Sequence, residues 1–376
     1  MVAKILMLNS ITNESGGGVQ FWSIAKELVG LGCEVLFLER TTPRTKRRKD
    51  SRIHYGAIRD TGLLGLDIPR ATALNLFRGL LFRPDYVFAL KPMPNTCIPA
   101  LVLKAVFKST VILDIDDLDF AYYSDRFKRG LVRSWFSLFP QHFDLLTTPS
   151  IHLQDYILKN LRIPRERVYF LAQGIESERF LRASPNEVYR KRYGLDGNDK
   201  VIVYCASLGI TSDFDVVLPV LTELLQDSPD IKILVIGDGV RRQYFVNEVK
   251  ACGLQNSIIF TGYIPHSDMP GLLRLARVGI NYMVPSVANQ YRTSIKVREY
   301  LAAGLNVVCN PVGDAEIFQD YVVLCPAIEE FPNAIRKALE RNNQKMIGEA
   351  QAFVENRYAW PRLVEGFLNH LINSDE

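Results

Sequence analysis

The sequence lacks the marks of a secreted, metal-caged or nucleic-acid-coating protein. Its six cysteines (Cys33, Cys97, Cys205, Cys252, Cys309 and Cys325) lie far apart with no C-x-x-C pair, so reduced core thiols are expected rather than disulfides or a thiolate metal site. No run of about eighteen apolar residues occurs, and the apolar segment 98–113 is broken by Lys104 and Lys108, which excludes a membrane-spanning helix there. The first residues, MVAKILMLNS, read as a strand rather than a cleavable leader, and a cytoplasmic protein is expected. Net charge is also scarce. Forty-five Lys and Arg against 41 Asp and Glu leave +4 over 376 residues, too little for a basic nucleic-acid coat or an acidic disordered tail, and no nucleic-acid partner is expected. There is no repeat and no low-complexity tract beyond the basic loop TTPRTKRRKD at 41–50.

The small total hides an asymmetry. Residues 1–180 carry 25 basic and 18 acidic side chains, a net of +7, whereas residues 181–376 carry 20 and 23, a net of −3. Short β-branched runs alternate with longer amphipathic ones: KILMLNSI, FWSIAKELVGLG, EVLFLER, and later DYVFAL, STVILDID and LLTTPS. That is the βαβ rhythm of a parallel sheet covered by helices, with Gly32 as a left-handed helix stop. A polar, turn-rich stretch after about residue 174 precedes a second series. It comprises KVIVYCAS, a helix near 215–227, IKILVIGDG, a helix near 240–253, SIIFTGYI, a helix near 267–276, VGINYMVP, a helix near 294–303, and NVVCNP. Two α/β Rossmann-like domains with a cleft between them follow, and their ligands should lie outside the carboxyl ends of the strands.

Four constellations sit in such loops. In the first, N9-S-I-T-N-E-S-G-G-G-V-Q20, Gly17 and Gly18 let backbone amides approach an anion at a helix start. Glu39, ending the second strand, leaves a dinucleotide reading open, and a glycine turn without a ligand is the plain alternative. In the second, D114-I-D-D-L-D119, four carboxylates in six residues need water, a cation, helix starts or positive substrate groups to relieve their repulsion. Asp114 and Asp116 read either as a D-x-D metal pair or as structural and capping groups. The third, I-G-D-G at 236–239, makes a backbone nest from Gly237 and Gly239 or a common turn. The fourth, Q290-Y-R-T-S-I-K-V-R-E-Y-L-A-A-G304, is the most specific. Thr293 or Ser294 is a natural N-cap and Gly304 a natural stop. Lys296 and Glu299 share a helical face, as a surface ion pair or as a diphosphate and ribose contact beside Arg292.

These segments, taken in order, resemble the retaining glycosyltransferases of family four, whose GT-B fold has two facing Rossmann-like domains. The resemblance runs through SGGGVQ, TTPS at 147–150, AQGIESERF at 172–180, IGDG with IIFTGYIP, KVREYLAAGLNVV, GDAEIF at 313–318 and FVENRYAW at 353–360. It implies a nucleotide-sugar domain over 181–355 and an acceptor domain over 1–180 closed by a helix over 356–376. It further implies transfer of a sugar from a nucleotide diphosphate sugar to a glycan or lipid-linked acceptor, with no metal and no cofactor. Lys296, Arg292 and Asp116 are then the candidate catalytic residues. Glu299, Gly17, Gly18, Gly237, Gly239, Tyr291, Thr293 and Ser294 are the candidate donor contacts. A sugar-phosphate bond breaks toward a negative leaving group, so cations and helix-start amides aimed at the phosphate should dominate the catalysis.

The chain departs from the pattern in three places. Tyr291 stands where the family has a glutamate eight positions before Glu299. The stretch A206-S-L-G-I-T-S-D-F-D215 has neither the Arg nor the Lys of the usual phosphate clamp, a part that Arg292 and Lys296 would have to take. The aspartate cluster occupies the region of the family's first-domain histidine, with His54, His142 and His152 as weak substitutes. A degenerate relative that binds a nucleotide sugar or a partner enzyme without turnover, and a nucleotide-sugar epimerase, are the alternatives. On the basic half, F127-K-R-G-L-V-R-S-W-F-S-L-F139 and N75-L-F-R-G-L-L-F-R83 suit an anionic membrane surface, or else are core-facing helices with snorkelling basic side chains.

Overall fold

The computed structural model describes residues 2–11, 16–42, 50–209, 212–226, 228 and 230–374. The basic loop expected at 41–50 falls mostly outside them, as do residues 12–15 of the first glycine loop. The chain divides into two units, residues 1–174 with 360–376, and residues 175–359.

The first unit begins with β1 (Lys4–Asn9), α1 (Gly16–Gly30), β2 (Glu34–Thr41), β3 (His54–Arg59) and α2 (Leu64–Phe82). It continues through β4 (Tyr86–Leu90), α3 (Pro94–Phe107), β5 (Thr110–Asp114), α4 (Arg126–Leu138), β6 (Leu145–Thr148), α5 (Ile151–Asn160) and β7 (Val168–Phe170). The described strands form one sheet in the order β3-β2-β1-β4-β5-β6-β7, every pair parallel. Covered on both faces, its central strands are almost continuously apolar, as in YVFAL of β4. Phe21, Phe37 and Phe88 meet there. Gly32 has φ of 90°, so the helix stop expected between α1 and β2 is present.

The second unit opens with α6 (Ser177–Leu181), α7 (Glu187–Arg192), β8 (Lys200–Cys205), α8 (Phe214–Gln226), β9 (Ile231–Ile236) and α9 (Arg242–Ala251). Then come β10 (Ile258–Gly262), α10 (Met269–Leu273), β11 (Val278–Asn281), α11 (Val287–Gln290), α12 (Ile295–Ala302) and β12 (Asn306–Cys309). The unit closes with β13 (Val322–Leu324), α13 (Phe331–Glu340) and α14 (Gln344–Tyr358). Its described strands are again all parallel, in the order β10-β9-β8-β11-β12-β13. Phe214 packs on Tyr204, Phe245 and Phe260 in its core. Helix α6 belongs here because Phe180 is fully buried and α6 packs on α12 and α14.

The last helix, α15 (Trp360–Ser374), returns to the first unit. It lies on α1, with Phe367 against Phe88 and Tyr169. A Cβ at Gly174 would stand 2.5 Å from the Trp360 ring, so this closing contact requires glycine there. In each sheet the strand order reverses once, at β1 and β4 in the first unit and at β8 and β11 in the second. The loops leaving the carboxyl ends at those points are where sheets of this kind bind their ligands.

Candidate functional site

In the first unit the loops after β1, β4 and β5 converge at the reversal point. Asp114 ends β5 fully buried, and the Thr147 hydroxyl donates to its Oδ1 at 2.5 Å. Burial and the neighbouring Asp116 push its carboxyl up to about 7. Asp116 turns instead to Lys91, whose Nζ lies 2.7 Å from Asp116 Oδ1, 2.6 Å from Asp119 Oδ1 and 3.9 Å from Asp117 Oδ2. Burial alone would push the Lys91 ammonium down, but these carboxylates override it and hold it well above its ordinary value. The repulsion of the cluster is therefore relieved by a lysine. Asp114 is bound to Thr147 and Asp116 to Lys91, and among the described residues no group of three or more His, Cys, Asp or Glu is placed to hold a metal ion.

Gly17 fits the same assembly. A Cβ there would fall 2.1 Å from Asp116 Oδ2, so the glycine makes room for the carboxylate at the start of α1. Gly18 is buried beside it. Nothing in the sequence singled out Lys91. The available signals were the unmatched acidic cluster and a lysine just after a buried strand, and in the structure Lys91 takes a left-handed φ of 67°.

In the second unit the β11–α12 segment carries the most specific motif. Ser294 occupies the N-cap position of α12, but its hydroxyl donates to Asn281 Oδ1 at 2.8 Å, and its N–H to Asp314 Oδ1 at 3.1 Å. It thus ties the helix start to β11 and to the loop after β12, while its own hydroxyl accepts from none of the first-turn amides. Arg298 is wholly buried, paired with Asp314 and stacked 4.5 Å from the Tyr358 ring. This anchor fixes the rotation of α12 and so the direction of Lys296 and Glu299.

Glu299 is only 3 % exposed. The Lys296 ammonium lies 3.9 Å from its Oε2, and His266 Nε2 lies 3.2 Å from its Oε1. Burial acts to raise this carboxyl, yet Lys296 and His266 together bring it below its ordinary value, so it is ionised. An ionised carboxylate only accepts, and Nε2 of His266 therefore carries the proton. The other ring nitrogen, Nδ1, is 3.7 Å from Glu176, which pairs with Arg179 of α6. His266 lies outside the sequence motifs, and its partner is 33 residues away in the chain, whereas His54, His142 and His152 are in the first unit.

Arg292 is exposed, with Nη1 3.2 Å from Asn289 Oδ1. Its positive charge also acts on Asp213 in the loop after β8. There burial raises the carboxyl, partly offset by the Val284 N–H and by Arg292. Gly313, at φ of 66°, lies against the Arg292 carbonyl, where a Cβ would come within 2.3 Å. Tyr291 and Thr293 are half-buried on either side of Arg292.

Gly237 and Gly239 make contacts within the protein. The Gly237 N–H donates to the Gly262 carbonyl, and the Gly239 N–H to Asp238 Oδ1 at 2.8 Å. Both amides are occupied. A Cβ at Gly237 would stand 1.9 Å from the Ala206 carbonyl oxygen, and one at Gly239 would stand 2.3 Å from Leu208. These glycines let the loops after β8 and β9 pack backbone to backbone, a demand that an amide nest and a close approach share in sequence.

Comparison with known proteins agrees with this architecture. Residues 15–174 match the glycosyl transferase 4-like domain family, and residues 185–360 match the glycosyl transferases group 1 family. MJ1607 of Methanocaldococcus jannaschii, named as an uncharacterized glycosyltransferase, is 22% identical over 59% of this chain and 58% of its own length. TuaH of Bacillus subtilis, a glycosyltransferase provisionally named for teichuronic acid biosynthesis, is 29% identical over 69% of this chain and 66% of its own. The matched stretches thus span less than two thirds of either relative. The crystal structure of Anabaena HepE in complex with UDP superposes with a TM-score of 0.74 at 15% identity, covering 98% of this chain and 100% of that one. The two family matches together take in nearly the whole sequence, and the chain belongs to the group 1 glycosyltransferases of family four, with the GT-B fold.

Proposed function

We propose that the protein transfers a hexose, with retention at the anomeric carbon, from a nucleoside diphosphate sugar held by its second unit to a glycan or lipid-linked acceptor. The observation that carries this reading is Glu299, a buried and ionised carboxylate in the middle of α12, held between Lys296 and His266. A carboxylate so placed accepts hydrogen bonds from the two hydroxyls of a ribose, and Lys296 beside it meets the diphosphate. As the sugar leaves, negative charge grows on the diphosphate. Lys296, Arg292 and the amides of the first turn of α12 are proposed to stabilise it, with Thr293 and Tyr291 shaping the sugar side. Gly237 and Gly239 are left out of the phosphate contacts because their amides are already bonded.

On the first unit, Asp116 is proposed to accept from a sugar hydroxyl while Lys91 holds it in place. Gly17 and Gly18 allow that close approach. No metal or cofactor enters the proposal. The complexes of Anabaena HepE with UDP and with UDP-glucose make UDP-hexoses the first donors to try. Incubation with UDP-, GDP-, ADP- and dTDP-sugars, with NMR assignment of the product anomer, tests the reading. Release of nucleoside diphosphate with an α-linked product from an α-linked donor supports it. An inverted product contradicts retention, and a thermal shift without turnover identifies a binding protein instead of a transferase.

A further inference from the structure

Helix α4 has two apolar faces. Val132 and Phe136 point inward, where Phe136 meets Phe120 and Tyr156. Phe127, Leu131 and Leu138, spaced four and seven residues apart and so on one side, point to solvent, with Phe127 78 % and Leu138 56 % exposed. Arg126, Lys128, Arg129 and Arg133 are exposed around them, and residues 126–138 contain no Asp or Glu. Helix α2 repeats the arrangement. Asp67, Ala71, Asn75 and Gly79 turn inward, while Leu66, Phe77 and Leu81 are outward, Leu81 being 70 % exposed. Arg70 and Arg83 are exposed on the same helix and at its end.

The topology puts the two helices in one layer, with α3 between them. The connections from β3 to β4, β4 to β5 and β5 to β6 all run in one direction across the sheet. Right-handed crossovers therefore place α2, α3 and α4 on one face, opposite α1. Exposed Val106 and Lys108 at the end of α3 lie in the same layer. Large apolar side chains ringed by cations on the outside of one helical layer are unfavourable in water and fit an interface that is apolar below and anionic at its surface.

We infer that the outer face of α2 and α4 docks the protein on an anionic lipid bilayer, with Phe127, Leu131, Phe77 and Leu81 entering the headgroup boundary and the arginines and lysines on lipid phosphates. The surface is independent of the donor contacts, so its failure leaves the transfer reading intact. The test is co-sedimentation of the full chain with vesicles of phosphatidylcholine alone and of phosphatidylcholine with about a quarter phosphatidylglycerol. Binding to the anionic vesicles is expected, weakened at least about tenfold by roughly 0.5 M salt. Phe127→Ser/Leu131→Ser and Lys128→Gln/Arg129→Gln should each weaken it by about tenfold or more, with circular dichroism and release of nucleoside diphosphate unchanged. Absence of binding by the unaltered protein overturns the inference. So does equal binding by the Phe127→Ser/Leu131→Ser variant, or light scattering that shows a dimer dissolved by these substitutions, which would assign the face to a second copy.

Discussion

His266 Nε2 lies 3.2 Å from Glu299 Oε1, joining a half-exposed loop side chain to a carboxylate buried in the middle of α12. The imidazole donates to one oxygen and leaves the other toward Lys296, 3.9 Å away. In the proposed donor site it would act on the donor through Glu299. His266→Ala is expected to raise the donor KM by about tenfold while kcat falls less, because a ribose contact contributes to ground state and transition state alike. His266→Gln, which keeps an N–H donor, should recover most of the loss. Equal loss of kcat and kcat/KM would contradict the positioning role.

Lys296→Ala removes the charge proposed to meet the leaving diphosphate. Its kcat should fall by about a hundredfold or more, close to the cost of one lost transition-state donor, on the order of 3 kcal/mol. Lys26→Ala, on α1 in the first unit, serves as the control and should change kcat by less than about twofold. Steady-state kinetics on the two variants checks the difference.

Gly17→Ala places a methyl where Asp116 Oδ2 now lies, 2.1 Å from the ideal Cβ position. The carboxylate must move away from its place on Lys91, and activity should fall at least about tenfold if Asp116 contacts the sugar. Gly30→Ala, at the other end of the same helix with no atom within 4 Å, should leave both activity and Tm nearly unchanged.

Asp114 gives the stability a pH dependence. Its carboxyl is raised to about 7 in the folded chain from an ordinary 3.8. Between those values the folded state keeps a proton that the unfolded state has released, so this group's stabilisation is full below about pH 4 and is lost as pH rises toward 7. Asp114→Asn removes the titration and keeps an acceptor for Thr147. The variant should gain on wild type between pH 5 and pH 8 by an amount on the order of 2 kcal/mol, or several degrees in Tm. Parallel melting curves at the two values would contradict the assignment.

The sheets and their helices were legible because each depends on local pattern. Continuous apolar runs such as YVFAL marked buried parallel strands, and Gly32 and Gly304, at φ of 90° and 78°, marked helix ends. Lys296 and Glu299 were legible for the same reason, three residues apart on one helix. Lys91, His266, Arg298 and Asp314 were not, since their partners come from other strand ends: 28 residues separate Lys91 from Asp119, and 33 separate His266 from Glu299. Gly237 and Gly239 show the converse. Backbone crowding and ligand approach demand the same residue, and only the Ala206 and Leu208 carbonyls distinguish them. For α4 and α2 the sequence offered a core face or a membrane face as alternatives, whereas α4 has both a buried apolar face at Val132 and an exposed one at Phe127.

The central claim, that Glu299 and Lys296 form the donor site, is tested most directly by titrating UDP and UDP-glucose into wild type, Glu299→Gln and Lys296→Ala and following Tm together with UDP release. The account predicts a thermal shift and release for wild type, and a shift reduced in both variants with release reduced most by Lys296→Ala. If wild type responds while Glu299→Gln and Lys296→Ala respond equally well, the donor is held elsewhere and the assignment of this site is wrong.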